Sequence, residues 1–243
     1  MRSRTRKAIL CAVLAAFAVQ LHAQNTQPSA ESVKLVIQLS IATQNKQWPE
    51  AADLSKQLVK LNPDNWFFRE ELANAQLNLG QYEDAFASNE EGISLAQAEL
   101  DSKAPGIDPA KNKTEISRML VSEGNGYLKQ KKNDLAIAAY TKAAEISPTP
   151  AQAYFNLCAT YYNMGMTEGA ALTACDKAIA ADPQKADAYF VKGSMLFASS
   201  PISHGKVVAL PGTAEALQKY LEVAPLGTHA TDVKEMLEVV GAK

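Results

Sequence analysis

Four prolines close apolar helical stretches along this chain: Leu-Asn-Pro63-Asp, Ile-Ser-Pro148-Thr, Ala-Asp-Pro183-Gln and Val-Ala-Pro225-Leu. Their spacings are 85, 35 and 42 residues. Proline cannot continue a helix, and it biases its predecessor away from helical angles. A stop every 35 residues or so, with two periods and an insertion in the first gap, is the sequence trace of stacked helix pairs. Alanine is abundant, whereas aromatic residues make up only 7% of the 243. Alanine is the strongest helix former and lets helices approach closely, so the expected class is all-α with a core of small side chains.

The period can be followed residue by residue. In 117–150, Leu120, Gly124 and Tyr127 share one face of a first helix. Ala136, Tyr140 and Ala143 share one face of a second, with Lys131-Lys132-Asn133 between them. Residues 32–65 hold Trp48 at the turn, Ala51 early in the second helix and Pro63 at the close. In 66–99 stand Leu72, Ala73 and the run Gly80-Gln81-Tyr82-Glu83-Asp84-Ala85-Phe86, with Gln97 in place of a closing proline; its second helix is expected to run past Leu100. Residues 151–185 carry Tyr154, Leu157, Tyr161, Ala171, Ala178 and Pro183. Residues 186–227 keep Tyr189, Gly193, Leu196 and Pro225, with Lys192 where a leucine is usual. Large residues beside small ones let one helix dock into the other.

This pattern resembles the tetratricopeptide repeat, a 34-residue helix–turn–helix unit. The resemblance implies a right-handed superhelical solenoid of about five helix pairs: units 1–2 over 32–99 and units 3–5 over 117–227. In 228–243, Val233, Met236, Leu237 and Val240 form an apolar face, with Asp232, Lys234, Glu235 and Glu238 between them, which suits a C-terminal capping helix. Two segments interrupt the period. Residues 100–116, rich in turn formers, read as a linker. Residues 199–212 read as an ordered surface loop, with Gly205 and Val207-Val208 as material for a short hairpin.

The first 23 residues read as a secretory signal peptide. Arg2, Arg4, Arg6 and Lys7 precede an uncharged run from Ala8 to Leu21, and Leu21-His22-Ala23 precedes a polar tail over 24–31. As a helix the apolar run covers about 21 Å, short of the ~30 Å of a bilayer core. The expected product is an exported, periplasmic or extracellular chain with no stable membrane span. Its formal charge moves from −2 to −6 with the loss of four basic residues and no acidic ones. Neither value favours nucleic acid.

Few residues promise chemistry. Beyond the leader stand two histidines, His204 and His229, without metal-ligand spacing, and no phosphate-binding glycine loop or hydrolase motif occurs. Gly124-Asn125-Gly126 reads as helix packing. Glu70-Glu71, Glu83-Asp84 and Glu90-Glu91 read as solvated helix faces. No enzyme, cofactor or metal is expected. Cys158 and Cys175 are equidistant from the turn Gly165-Met166-Thr167, so on antiparallel helices they lie at equal height. A disulfide there is sterically reasonable if the Cα atoms come within ~7 Å, and in the chain-entropy model it adds roughly 3 kcal/mol. Two buried thiols are the alternative, with a thiol oxidoreductase behind it.

The resemblance also implies a concave wall built from the first helix of each pair. Its phase points to Phe67, Glu70, Asn74 and Asn78 in unit two and to Arg118, Val121, Asn125 and Leu128 in unit three. Unit four offers Gln152, Phe155, Asn156 and Tyr162, and unit five Phe190, Ser194 and Phe197. These aromatics and amides suit a docked peptide or protein partner, while packing between repeats or against the C-terminal helix is the alternative for Phe155, Tyr162, Phe190 and Phe197. The carboxylate-binding mode of some family members is not expected, since Val121, Phe155 and Phe190 stand where its basic residues would be. The functional expectation is a non-catalytic scaffold for protein–protein or peptide interaction, with a structural subunit of an envelope complex as the alternative.

Overall fold

The computed structural model describes residues 29–242. The expected signal peptide, Cys11 and all but the last residues of the 24–31 tail lie outside them. Among the described residues are eleven helices: α1 (Ala30–Gln44), α2 (Trp48–Leu61), α3 (Trp66–Asn78), α4 (Tyr82–Ser102), α5 (Pro109–Lys129), α6 (Asn133–Ile146), α7 (Ala151–Asn163), α8 (Ala170–Ala181), α9 (Ala186–Ala198), α10 (Thr213–Val223) and α11 (Ala230–Val239). The only strands among these residues, β1 (Ile202–Ser203) and β2 (Lys206–Val207), form a small hairpin.

The chain divides into two compact units, Met1–Gly126 and Tyr127–Lys243. In the first, α1 packs on α2, α2 on α3 and α3 on α4. Its core begins with Leu35, Val36, Leu39, Ala51, Leu58, Phe68 and Leu72. In the second, each helix from α6 to α11 packs on the next, and α7 also meets α9.

The turns inside the pairs repeat one backbone design. Lys46, Gly80, Lys131 and Gly165 each take a left-handed conformation, with φ of 57°, 76°, 59° and 76°. They occupy the fifteenth place in units beginning at 32, 66, 117 and 151. After each, the next N–H reaches back to close the helix: Gln47 to Ala42 O, Gln81 to Gln76 O, Lys132 to Tyr127 O and Met166 to Tyr161 O, all within 3.0 Å. This is the six-to-one closure that satisfies carbonyls at a helix end. In the fifth unit the residue that must donate is Pro201, which has no N–H. The chain leaves the helix differently there. Pro201 O accepts from Val208 N–H at 2.8 Å, and the hairpin between them turns through His204 and Gly205, both at positive φ. Two such residues suit a two-residue hairpin loop. The 199–212 segment, expected as an ordered surface loop, thus holds a short hairpin through Gly205.

The linker shrinks from both sides. Helix α4 extends to Ser102, and α5 starts at Pro109, eight residues before the 117 expected. Proline at a first helical position needs no hydrogen-bond partner, and the Asp108 carboxylate accepts from the N–H groups of Ala110 and Lys111. Residues 103–108 alone remain outside helices. Likewise α1 begins at Ala30, inside the expected tail, with the Ser29 hydroxyl accepting from Ser32 N–H at 3.0 Å.

Helix crossings within a pair are filled by complementary sizes. In unit five a Cβ on Gly193 would stand 2.6 Å from Leu217, so only glycine lets α9 and α10 approach there. The same two places hold Leu39 and Ser55 in unit one, Ala73 and Asn89 in unit two, and Cys158 and Cys175 in unit four. All of these residues, Gly193 included, are buried, so these places form the centre of each pair.

At the C-terminus, Leu217, Tyr220, Ala230, Val233 and Leu237 form a core that Met236 borders. Helix α11 caps unit five with that apolar face. The Tyr220 hydroxyl accepts from His229 N–H at 2.9 Å and fixes the entry to α11.

Candidate protein-interaction site

The candidate residues lie on the first helices of their pairs, and the two units present different walls. In the first unit, Phe67 is half-buried and packs against the core of α1 and α2, touching Phe68 edge-on. Asn74 accepts from the Asn78 amide on the same helix. Arg118, on α5, donates to the Glu70 carboxylate of α3 at 2.6 Å and to Glu115 on its own helix. Glu70 is buried and Arg118 exposed. Burial pushes the Glu70 carboxyl up to about 8, with Arg118 pulling it down and Glu115 and Glu71 adding to the rise. Glu71 is also raised by burial, against the pull of Arg118 and a hydrogen bond from Thr43. The expectation of a solvated Glu70-Glu71 face is therefore corrected. The two carboxyl groups are drawn into the seams that α3 makes with α1 and α5.

The second unit presents rings and amides. On α7, the Gln152 amide donates to Asn156 Oδ1 at 2.8 Å. Lys185, just before α9, donates to Gln152 Oε1 at 2.6 Å and holds its ammonium 5.0 Å from the Phe155 ring centre. Phe155, Asn156 and Tyr162 are half-buried, as is Phe197 on α9. A cation over a ring face adds electrostatic attraction to that wall. Helix α7 is fixed behind it: Cys158 and Cys175 form a disulfide with Cα atoms 4.9 Å apart.

Phe190 requires a correction. It stacks on the His229 ring with centroids 3.8 Å apart, and it borders the capping core beside Tyr220. One ring face is therefore covered by the chain itself. Asn125 is exposed on α5. Of the packing positions, Leu72, Ala73, Ala85, Gly124, Ala136, Tyr140, Ala143, Ala171, Ala178 and Gly193 are buried, and Leu120 and Tyr127 half-buried. Among the described residues no three His, Cys, Asp or Glu side chains gather as metal ligands, and no helix is long and apolar enough to cross a membrane.

Residues 41–102 match a family model described as tetratricopeptide repeat, and residues 124–165 match a second, described as TPR repeat. Over these two segments the helix pairs match tetratricopeptide repeats. Solved structures with this fold include the MamA protein, at 19% identity and a TM-score of 0.56 over 80% of this chain and 92% of that one. PilW, described as a widely conserved type IV pilus biogenesis factor, shares 15% identity with a TM-score of 0.57 over 88% of each chain. YrrB, described as a TPR protein with an unusual peptide-binding site, shares 16% identity with a TM-score of 0.54 over 81% and 88%. No curated protein matches the sequence. Such repeats imply protein–protein interaction.

Sequence reasoning passed over Lys185 and the Glu70–Arg118 pair. Glu115 and Arg118 are spaced to meet on one helix, a local signal of a charge cluster. The partner across the seam, Glu70, is 48 residues away and leaves no such signal.

Proposed function

We propose that this chain is an exported, non-catalytic tetratricopeptide-repeat scaffold that captures a protein or peptide partner through the first-helix wall of its second unit. The observation that carries the reading is the assembly of Phe155, Asn156, Gln152 and Lys185 on one exposed face. A ring gives an apolar anchor, and the amides satisfy a partner's backbone groups, the combination that concentrates binding energy at interfaces. YrrB, a fold neighbour described by its peptide-binding site, supports the reading by analogy. Export rests on the basic and apolar leader of residues 1–23.

A photo-crosslinking phenylalanine analogue at position 155, in the exported chain, tests the wall. It is expected to trap a discrete partner, whereas the same probe at Leu135, exposed on α6, traps none. Phe155→Ala with Asn156→Ala is expected to lower partner recovery at least ten-fold with helicity unchanged. Undiminished recovery would place binding on another surface. The N-terminal mass of the exported chain is expected to begin at Gln24; retention of Met1 would remove the export reading.

One observation favours a second reading, an assembly subunit of an envelope complex. The hairpin exposes Ile202 at 76%, and Val208 beside it is half exposed. Pilus biogenesis by PilW supports this alternative by analogy. Deleting 202–207 is expected to dissolve a stoichiometric complex under this reading and to leave capture at Phe155 intact under the first.

A further inference from the structure

The crossing at the centre of unit four differs in kind from those of units one, two and five. Those three pair unequal side chains: Leu39 with Ser55, Ala73 with Asn89, and Gly193 with Leu217. Unit four has two cysteines, both fully buried and bonded to each other. The other buried side chains of α7 and α8 are mostly small: Ala153, Ala171, Ala174 and Ala178, with Thr160 and only Leu157 of larger size. An interface of small side chains lets the helices approach closely but buries little apolar surface per residue, so the bond is a large share of what holds the pair. Next door, Cys175 Sγ lies 3.9 Å from Met195 Sδ of α9, so the bond also abuts the following pair.

We propose that the Cys158–Cys175 bond is a redox switch that sets the order of unit four. With the bond formed, α7 is held to α8 and presents Phe155, Asn156 and Tyr162 in one arrangement. Without it, α7 and α8 separate in frequent local openings. The consequence for binding rests on the wall proposed above; the loosening does not. Opening consumes a dithiol reductant. One of its thiolates attacks a sulfur of the pair, forming a mixed disulfide and releasing the other cysteine as a thiolate that takes up a proton. The reductant's second thiol then displaces the remaining cysteine, so two cysteine thiols and an oxidised, disulfide form of the reductant result. Closure is the reverse, with a small-molecule or protein disulfide as oxidant. Because both sulfurs are buried, attack requires the helices to part first, which couples the exchange to the local opening itself.

Hydrogen exchange read by mass spectrometry on the full chain, before and after dithiothreitol, tests the switch. Alkylation of the peptides containing Cys158 and Cys175 reports their state, independent of Cys11. On reduction, amides in 151–163 and 170–181 are expected to exchange at least ten-fold faster, while those in 30–78 change less than two-fold. Equal protection in the two states, an even loss over all helices, or a bond that dithiothreitol leaves closed would overturn the proposal. Cys158→Gly with Cys175→Leu installs the pairing of unit five. Its exchange is expected to ignore dithiothreitol, and a response equal to that of the natural chain would assign the effect elsewhere. Partner capture at Phe155 that survives reduction, while protection in 151–163 and 170–181 falls as expected, would count against the wall and not against the switch.

Discussion

The first-helix walls of the two units solve the same packing problem with different chemistry. In the first, a carboxyl group is sunk between α3 and α5 and held by Arg118. In the second, Lys185 lies outside, over a ring, and α7 and α9 carry no buried carboxyl group. A buried carboxyl makes its seam sensitive to pH, because burial opposes the charged form. A cation over a ring at the surface sinks no carboxyl group into its wall. The difference teaches that one repeat design can carry a buried, proton-dependent seam in one unit and an outward cation–ring contact in the other.

The largest expected effect is that of Arg118→Ala. It removes the cation that pairs with Glu70 and leaves the carboxyl group buried. With its pKa near 8 the Glu70 carboxyl is mostly protonated at pH 7, so the loss is that of one hydrogen bond from a charged donor to a buried acceptor, about 2 kcal/mol. Urea unfolding followed by hydrogen exchange is expected to show the loss in 30–78 and not in 170–239. An equal loss in both would erase the contrast between the walls.

Next comes the proton dependence. The folded Glu70 pKa, near 8, lies above the ordinary carboxylate value. Its contribution is therefore fully present below about pH 4.5 and is lost as the pH rises through about 8. The first unit is expected to melt at lower temperature at pH 8.5 than at pH 6, and Glu70→Gln to flatten that slope. A slope that survives the substitution would assign the proton to Glu71 or another group.

The smallest effect sharpens the other wall. Lys185→Met keeps most of the apolar stem and removes the cation over Phe155. It is expected to cost at most about 0.5–1 kcal/mol, the range of exposed cation–ring contacts. Thermal melts of the two proteins check it.

What was legible follows from how local each signal is. The repeat period rested on prolines and small residues at fixed places, and the left-handed turn residues fall at the same place in four units because that turn needs them there. The start of α5 was hidden, because Pro109 follows a turn-rich run and reads as a breaker until Asp108 is seen to cap it. Trp66 Nε1 donates to Glu99 at 2.6 Å, and the Asn112 amide donates to the same carboxylate at 3.1 Å. These contacts join three helices across 46 residues and show why the expected linker is mostly helical. The walls were legible only in part. Helical phase placed Phe155 and Asn156 on the proper face, but Lys185 reaches them from a turn and His229 reaches Phe190 from the capping segment.

Tyr220 ties the last repeat to the end of the chain. Five residues before the closing proline, units one, three and four place Leu58, Ala143 and Ala178, whereas unit five places this tyrosine. Its ring shares a core with Val233 and Leu237 of α11, and its hydroxyl accepts from His229 N–H at the entry to that helix. Tyr220→Phe would keep the ring and leave the His229 N–H without this acceptor. One side chain therefore does for the end of the stack what a further repeat does elsewhere: it gives the last pair an apolar neighbour and fixes the direction in which that neighbour arrives.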